Sequence, residues 1–145
     1  MAQRATVSTI VNAPVESVYR VVAAIENYVA WNADLKNITV RERDADGRPL
    51  EVEFRAAAFG RSTTYTLRYD YSSAPNTLSW HQTEGDLTES MAGKYRFESM
   101  GEQTKVTYDL EVELRVPIPA FIKSRAAHRI QTQALDELKA QVESI

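Results

Sequence analysis

Residues 62–71 read STTYTLRYDY, with Tyr65, Leu67, Tyr69 and Tyr71 on one side of a two-residue period and Thr64, Thr66, Arg68 and Asp70 on the other. Period two is the signature of an extended strand with one face buried. The buried face here is almost wholly ring and aliphatic. Outward from it the same period recurs. Upstream, 50–58 sets Val52, Phe54 and Ala56 against Glu51, Glu53 and Arg55, and 37–43 puts Ile38 and Val40 together, with the turn signal Asp44-Ala45-Asp46-Gly47 between them. Downstream, Ala74-Pro75-Asn76 turns the chain into Leu78 and Trp80. Gly85-Asp86 then leads to Met91, Tyr95 and Phe97, and Gly101-Glu102 to Val106, Tyr108, Leu110, Val112 and Leu114. Strands separated by short turns in this way are antiparallel hairpins joined in sequence.

The two ends of the chain differ from this middle. Residues 5–11 alternate weakly and read as a first strand, which Pro14 stops. From Val15 to Ile25 the apolar positions Val15, Val18, Val22 and Ile25 recur at three and four, with Pro14 and Glu16 suited to a helix's first turn. Residues 26–35, with Tyr28 and Trp31 a turn apart, predict a second short helix or helical turn. Pro117 and Pro119 end the last strand. From 120 to 142 Phe121, Ile122, Ala126, Ile130, Ala134, Leu138 and Val142 form one stripe of a long C-terminal helix. Six or seven strands at ~4.8 Å spacing make a sheet about 30 Å wide, whereas one helix covers only ~10 to 12 Å. The sheet must therefore curl around the helix, and the room this leaves is either a hollow for a ligand lined by tyrosine and tryptophan or a core packed solid by those rings.

The chain has 145 residues, 17 basic against 20 acidic side chains and a net charge of −3, so one domain spanning 1–145 is expected. A sequence isoelectric point near 5.4 argues against nucleic acid as a partner. No apolar run approaches the ~20 residues of a membrane span, so an integral membrane protein is not expected. With no cysteine there are no disulfides, thiol nucleophiles or thiolate metal sites. The opening residues Met-Ala-Gln-Arg-Ala-Thr lack a signal-peptide core, so the cytoplasm is the expected location. Oligomeric state is left open.

Five of the seven tyrosines, Tyr65, Tyr69, Tyr71, Tyr95 and Tyr108, share the inward strand phase. A buried phenol without a partner costs on the order of 1 to 3 kcal/mol, so several of them imply water, mutual pairing or a polar feature on a ligand. Gln82 shares phase with Leu78 and Trp80, and Glu89 with Met91 and Tyr95, so both are expected to project inward. A carboxyl buried there would be an acid, a base or an anchor. The expected ligand-binding set is Trp31, Phe54, Tyr65, Leu67, Tyr69, Trp80, Gln82, Met91, Tyr95, Tyr108, Leu110, Phe121 and Ile130. Glu89, Tyr69 and Tyr95 are the candidate proton donors. His81 and His128 face outward with no carboxylate at a ligand spacing, so no metal and no cofactor are expected. Arg55, Arg68, Arg96 and Arg115 take the outward strand phase, and Arg125 and Arg129 flank the helix stripe.

The order of a strand, Asn12-Ala13-Pro14 with Val15-Glu16-Ser17-Val18 opening a helix, Glu26-Asn27-Tyr28-Val29-Ala30-Trp31, a long meander and a terminal amphipathic helix resembles the START-like (SRPBCC) superfamily. More narrowly it is similar to the polyketide cyclase/dehydrase branch with its coenzyme Q-binding relatives. Val29 departs from that branch, where proline is usual. The resemblance implies an α+β helix-grip fold: a curved antiparallel sheet of about seven strands wrapped around the last helix, with two short helices between the first and second strands. It also implies a hydrophobic ligand cavity. The expected function is to bind or carry a lipid, quinone, sterol-like molecule or polyketide. The alternatives are a polyketide cyclase or dehydratase with a cavity Tyr or Glu as proton donor, and an adaptor with a packed interior. Cyclases of this superfamily often use an interior arginine, which the strand phases do not supply here. Ligand access is expected beneath the short helices and the loop 117–121.

Overall fold

The computed structural model describes residues 3–58 and 61–145; Met1 and Ala2, where the N-terminal reading begins, lie outside them. The chain runs β1 (Gln3–Val11), α1 (Val15–Ala23), a 3-10 helix (Ile25–Ala30), then β2 (Leu35–Arg43), β3 (Pro49–Ala58), β4 (Arg61–Asp70), β5 (Thr77–Gly85), β6 (Thr88–Met100) and β7 (Gln103–Leu114), and ends in α2 (Ala120–Glu143). All seven strands form one antiparallel sheet in the order β1-β7-β6-β5-β4-β3-β2. Six strands follow one another as a meander and the first returns beside the last.

Turn chemistry sets the hairpins. Between β2 and β3 the Asp44 carboxylate accepts the backbone N–H groups of Asp46 and Arg48 at 3.0 and 2.9 Å, and Gly47 supplies the left-handed φ of 83° that a side chain would resist. At the β5–β6 end Asp86 accepts from the Thr64 and Leu87 amides and the Thr63 hydroxyl, and these bonds hold its pKa below the usual carboxylate range.

The N-terminal stripe packs as its spacing requires: Val18, Val22 and Ile25 are fully buried. The second helical segment is shorter than expected. It is a 3-10 turn ending at Ala30, because the Tyr28 hydroxyl donates to the Val22 carbonyl and the Tyr28 carbonyl accepts the Asn32 N–H at 2.8 Å, after which the chain enters β2 at Leu35.

The C-terminal helix keeps the expected facing at Ile130, Ala134, Leu138 and Val142 and departs from it in the first turn. Its buried residues are Ala127, Gln131, Ala134, Leu135, Leu138 and Val142, whereas Phe121 is 67% exposed and Ile122 45%. Polar ties accompany the apolar contacts of this face. Gln131, fully buried, donates to the carbonyls of Ala5 and Tyr108, both at 3.0 Å, and Lys139 donates to the Ile10 carbonyl at 2.7 Å. These bonds clamp the middle and end of α2 across β1 and β7. In its first two turns Ala127 is buried, while Phe121, Ile122 and Arg125 stay exposed.

Candidate functional site

Cross-strand register builds the site. Tyr69 faces Trp80, Trp80 faces Gly93, and Gly93 faces Leu110, while Leu78, Tyr95, Tyr108 and Val7 form the adjacent row. Phe54 and Tyr65 pair on the neighbouring strands and stack at 5.5 Å. The rings then meet in a continuous cluster. Trp80 lies 5.9, 5.3 and 5.9 Å from Tyr69, Tyr95 and Tyr108, and Tyr95 lies 4.6 Å from Tyr108. Gly93 is required beneath the indole, since a Cβ there would stand 2.5 Å from Trp80 Cζ2.

Between this cluster and α2 lies a cavity of about 100 Å³, lined by Tyr28, Phe54, Tyr65, Leu67, Tyr69, Trp80, Met91, Tyr95, Tyr108 and Ile130, with Ala56 and Ala134. Asn32, Asp34, Leu35 and Ala57 line it toward the surface. This rim is held in place: Ala57 N–H donates to the Asp34 carbonyl at 2.8 Å, and Ala33 N–H donates to Glu137 of α2 at 3.1 Å. The loop 117–121 does not line the cavity, so the rim lies at the segment 32–35 and the end of β3, on the short-helix side of the expected access route.

Nine of the expected positions therefore line one hollow, and four do not. Trp31 packs edge-on against Tyr28 at 5.1 Å with its indole N–H unpartnered, and Leu110 is buried in the row beyond Trp80 and Gly93. Gln82 is half-buried, but its amide serves the β5–β6 turn: Nε2 donates to the Thr88 carbonyl at 3.0 Å and Oε1 accepts from the Thr88 hydroxyl. Phe121 projects into solvent. Glu89 is a correction of the same kind. A register shift between Thr88 and Ser90 turns its side chain outward, 54% exposed, where it pairs with Arg115 at 2.5 Å.

The arginines lie outside the cavity, as their phase indicated. Arg68 pairs with Glu42 and Glu51, and Arg96 with Asp109. Among the described residues no group of three His, Asp or Glu side chains is placed to hold a metal ion.

The cavity's interior polarity is phenolic, with Asn32 and Asp34 adding an amide and a carboxylate toward the surface. Tyr28 and Tyr71 donate to the carbonyls of Val22 and Pro49. Among the described residues no protein group partners the hydroxyls of Tyr65, Tyr69, Tyr95 and Tyr108. Burial raises the pKa of all four, and neighbouring tyrosines add to this for Tyr65, Tyr69 and Tyr95. At neutral pH they are protonated donors.

The curved sheet gripping a long helix over an aromatic hollow defines a START-like protein with the helix-grip fold. A family described as polyketide cyclase/dehydrase and lipid transport matches residues 2–143, and the chain belongs to it. The fold is shared with a START superfamily protein from Mycobacterium smegmatis, at TM-score 0.91 and 23% identity over 97% of each chain. It is shared too with the Zhui aromatase/cyclase from a Streptomyces species, at TM-score 0.87 and 16% identity over 99% of this chain and 94% of that one. A Thermus thermophilus protein, TTHA0849, aligns at TM-score 0.82 and 20% identity over 98% of each chain. Comparison with curated proteins found no match.

Tyr28, Asn32, Asp34, Leu35, Ala56, Ala57 and Ala134 are the lining residues that the sequence did not single out. Ala56 and Ala134 carry the signal that was available: small residues in phase with large ones, on a strand and on the helix, leave volume between them.

Proposed function

We propose that the protein binds a small, neutral, largely apolar molecule carrying oxygen acceptors, held between the sheet and α2. The observation that carries this reading is the set of four phenol hydroxyls without protein partners among the described residues, around a hollow that is otherwise apolar inside its rim of Asn32 and Asp34. Apolar burial at ~25 cal/mol per Å² supplies affinity, and each phenol donor met by a ligand oxygen adds about 0.5 to 1.5 kcal/mol. A cavity of about 100 Å³ sets the size class. An engineered apolar cavity of about 150 Å³ accepts benzene, whereas drug-sized ligands need about 300 Å³ or more. One ring fits with little adjustment, and a larger guest requires Met91, the flexible side chain of the lining, to swing aside.

The family description and the aromatase/cyclase neighbour keep a cyclase reading in view. It calls for a proton donor, and the groups at hand serve it poorly. Glu89 is outside, Asp34 stands toward the surface rather than among the inner rings, and burial makes the phenols weaker acids. Turnover of a poly-β-keto thioester, lost on Tyr95→Phe with binding retained, would establish it over simple carriage.

The binding test uses acetophenone and 2-acetonaphthone beside the oxygen-free ethylbenzene and 2-ethylnaphthalene, followed by tryptophan fluorescence and thermal shift. The ketones should bind about tenfold more tightly than the hydrocarbons. Ile130→Trp, which places an indole in the cavity, should abolish binding by a folded protein. Equal affinity for ketone and hydrocarbon, or unchanged binding by Ile130→Trp, overturns the proposal.

A further inference from the structure

We propose that the first turns of α2 form a docking surface for an anionic lipid bilayer. At about 100° per residue, Phe121, Arg125, Arg129 and Ile122 fall within roughly 100° of arc on the helix. All four are exposed, on the side away from Ala127, Gln131 and Leu138. Two of the chain's large exposed hydrophobics therefore share a face with two guanidiniums. Charge is segregated with them: 116–135 holds Lys123, Arg125 and Arg129 and no Asp or Glu, in a chain of net charge −3.

The order along the axis favours a bilayer over an acidic protein. Phe121 and Ile122 occupy the helix tip, and Arg125 and Arg129 follow about 6 and 12 Å behind Phe121. An interface presents acyl carbon first and phosphate above it, in the same sequence. An acidic protein surface would use the guanidiniums and leave both tip hydrophobics idle. Among the described residues no helix is long and apolar enough to cross a membrane, so the contact is peripheral. The register also puts this tip at the end of the sheet where the cavity rim lies. Leu114, the last residue of β7, pairs with Thr88 at the start of β6, Gly85 ends β5 opposite Tyr65, and Ala56 near the end of β3 faces Leu35. Docking would bring the cavity rim toward the lipid surface.

The test is co-sedimentation of the full chain with phosphatidylcholine vesicles, with and without phosphatidylserine, at low and high salt. Partition should require phosphatidylserine and weaken in high salt. It should fall about tenfold or more in the double variant R125E/R129E, and about tenfold in Phe121→Ser with the salt dependence kept. Melting temperature checks that each variant is folded. Equal partition onto neutral vesicles, no partition, or a charge-reversed variant that partitions like the parent overturns the proposal. So does poly-glutamate binding that is indifferent to Phe121→Ser, which would identify an acidic protein partner instead. Ketone binding by R125E/R129E in solution should equal the parent's, so a cavity that binds nothing and a tip that docks nowhere give different results.

Discussion

Titrated upward from about pH 9, the protein should unfold in a single step centred near pH 11 to 12, with tyrosinate absorbance and loss of the circular dichroism signal coinciding. Tyr28, Tyr69 and Tyr95 are buried, and desolvation, reinforced by neighbouring tyrosines, holds each pKa well above the ordinary value of 10. Below about pH 10 both the native and the unfolded chain keep these protons, and the stability they confer is complete. Above it the unfolded chain releases them and the native one does not, so stability falls by about 1.4 kcal/mol per group per pH unit. Three groups remove about 4 kcal/mol in each unit, against a total of about 5 to 15 for a domain of this kind. Tyr69→Phe deletes one linked ionisation and should move the midpoint upward. A gradual rise of tyrosinate absorbance near the ordinary phenol pKa, with dichroism unchanged, would mean that the rings are wetted in the native state. That outcome would remove the basis for treating them as dry donors toward a ligand.

The strands that carry these tyrosines were legible because a sheet with one wet face writes its facing into every second residue. Tyr65, Leu67, Tyr69, Trp80, Tyr95 and Tyr108 all line the cavity on the side their phase indicated. Phase fails where a single inserted residue resets it, and the shift beside Ser90 is enough to send Glu89 into solvent. Helical spacing fails differently. The stripe through Phe121 and Ile122 continues the apolar pattern of α2, but a pattern does not say where the opposing layer stops. Gln131, a polar residue that the apolar stripe omits, lies on the buried face and bonds across β1 and β7. The size of the hollow was the least legible property. It depends on Ala56, Ala134 and Gly93, whose contribution is the volume they do not fill, and on ring positions that differ by ångströms.

Trp80 is the position where stability and binding are most tightly joined. Trp80→Ala should destabilise the protein by about 3 to 5 kcal/mol, read as a lower urea midpoint at unchanged m value, because the indole packs against three tyrosine rings. The space vacated joins the existing cavity, so the variant should take a two-ring ketone more readily than the parent. At a ligand concentration of about one hundred times Kd the bound ketone returns about 2.7 kcal/mol. Gly93→Ala acts in the opposite sense. Its new methyl, 2.5 Å from Cζ2, must push the indole away from β6. Overpacking of this kind costs about 1 to 3 kcal/mol, and here it should weaken ketone binding by narrowing the hollow. Opposite changes in guest size from two substitutions that both destabilise cannot come from general loosening of the fold. If instead both variants bind one-ring and two-ring ketones in the parent's ratio, the indole is not a wall of the binding site, and the guest must sit elsewhere than among the four free phenols.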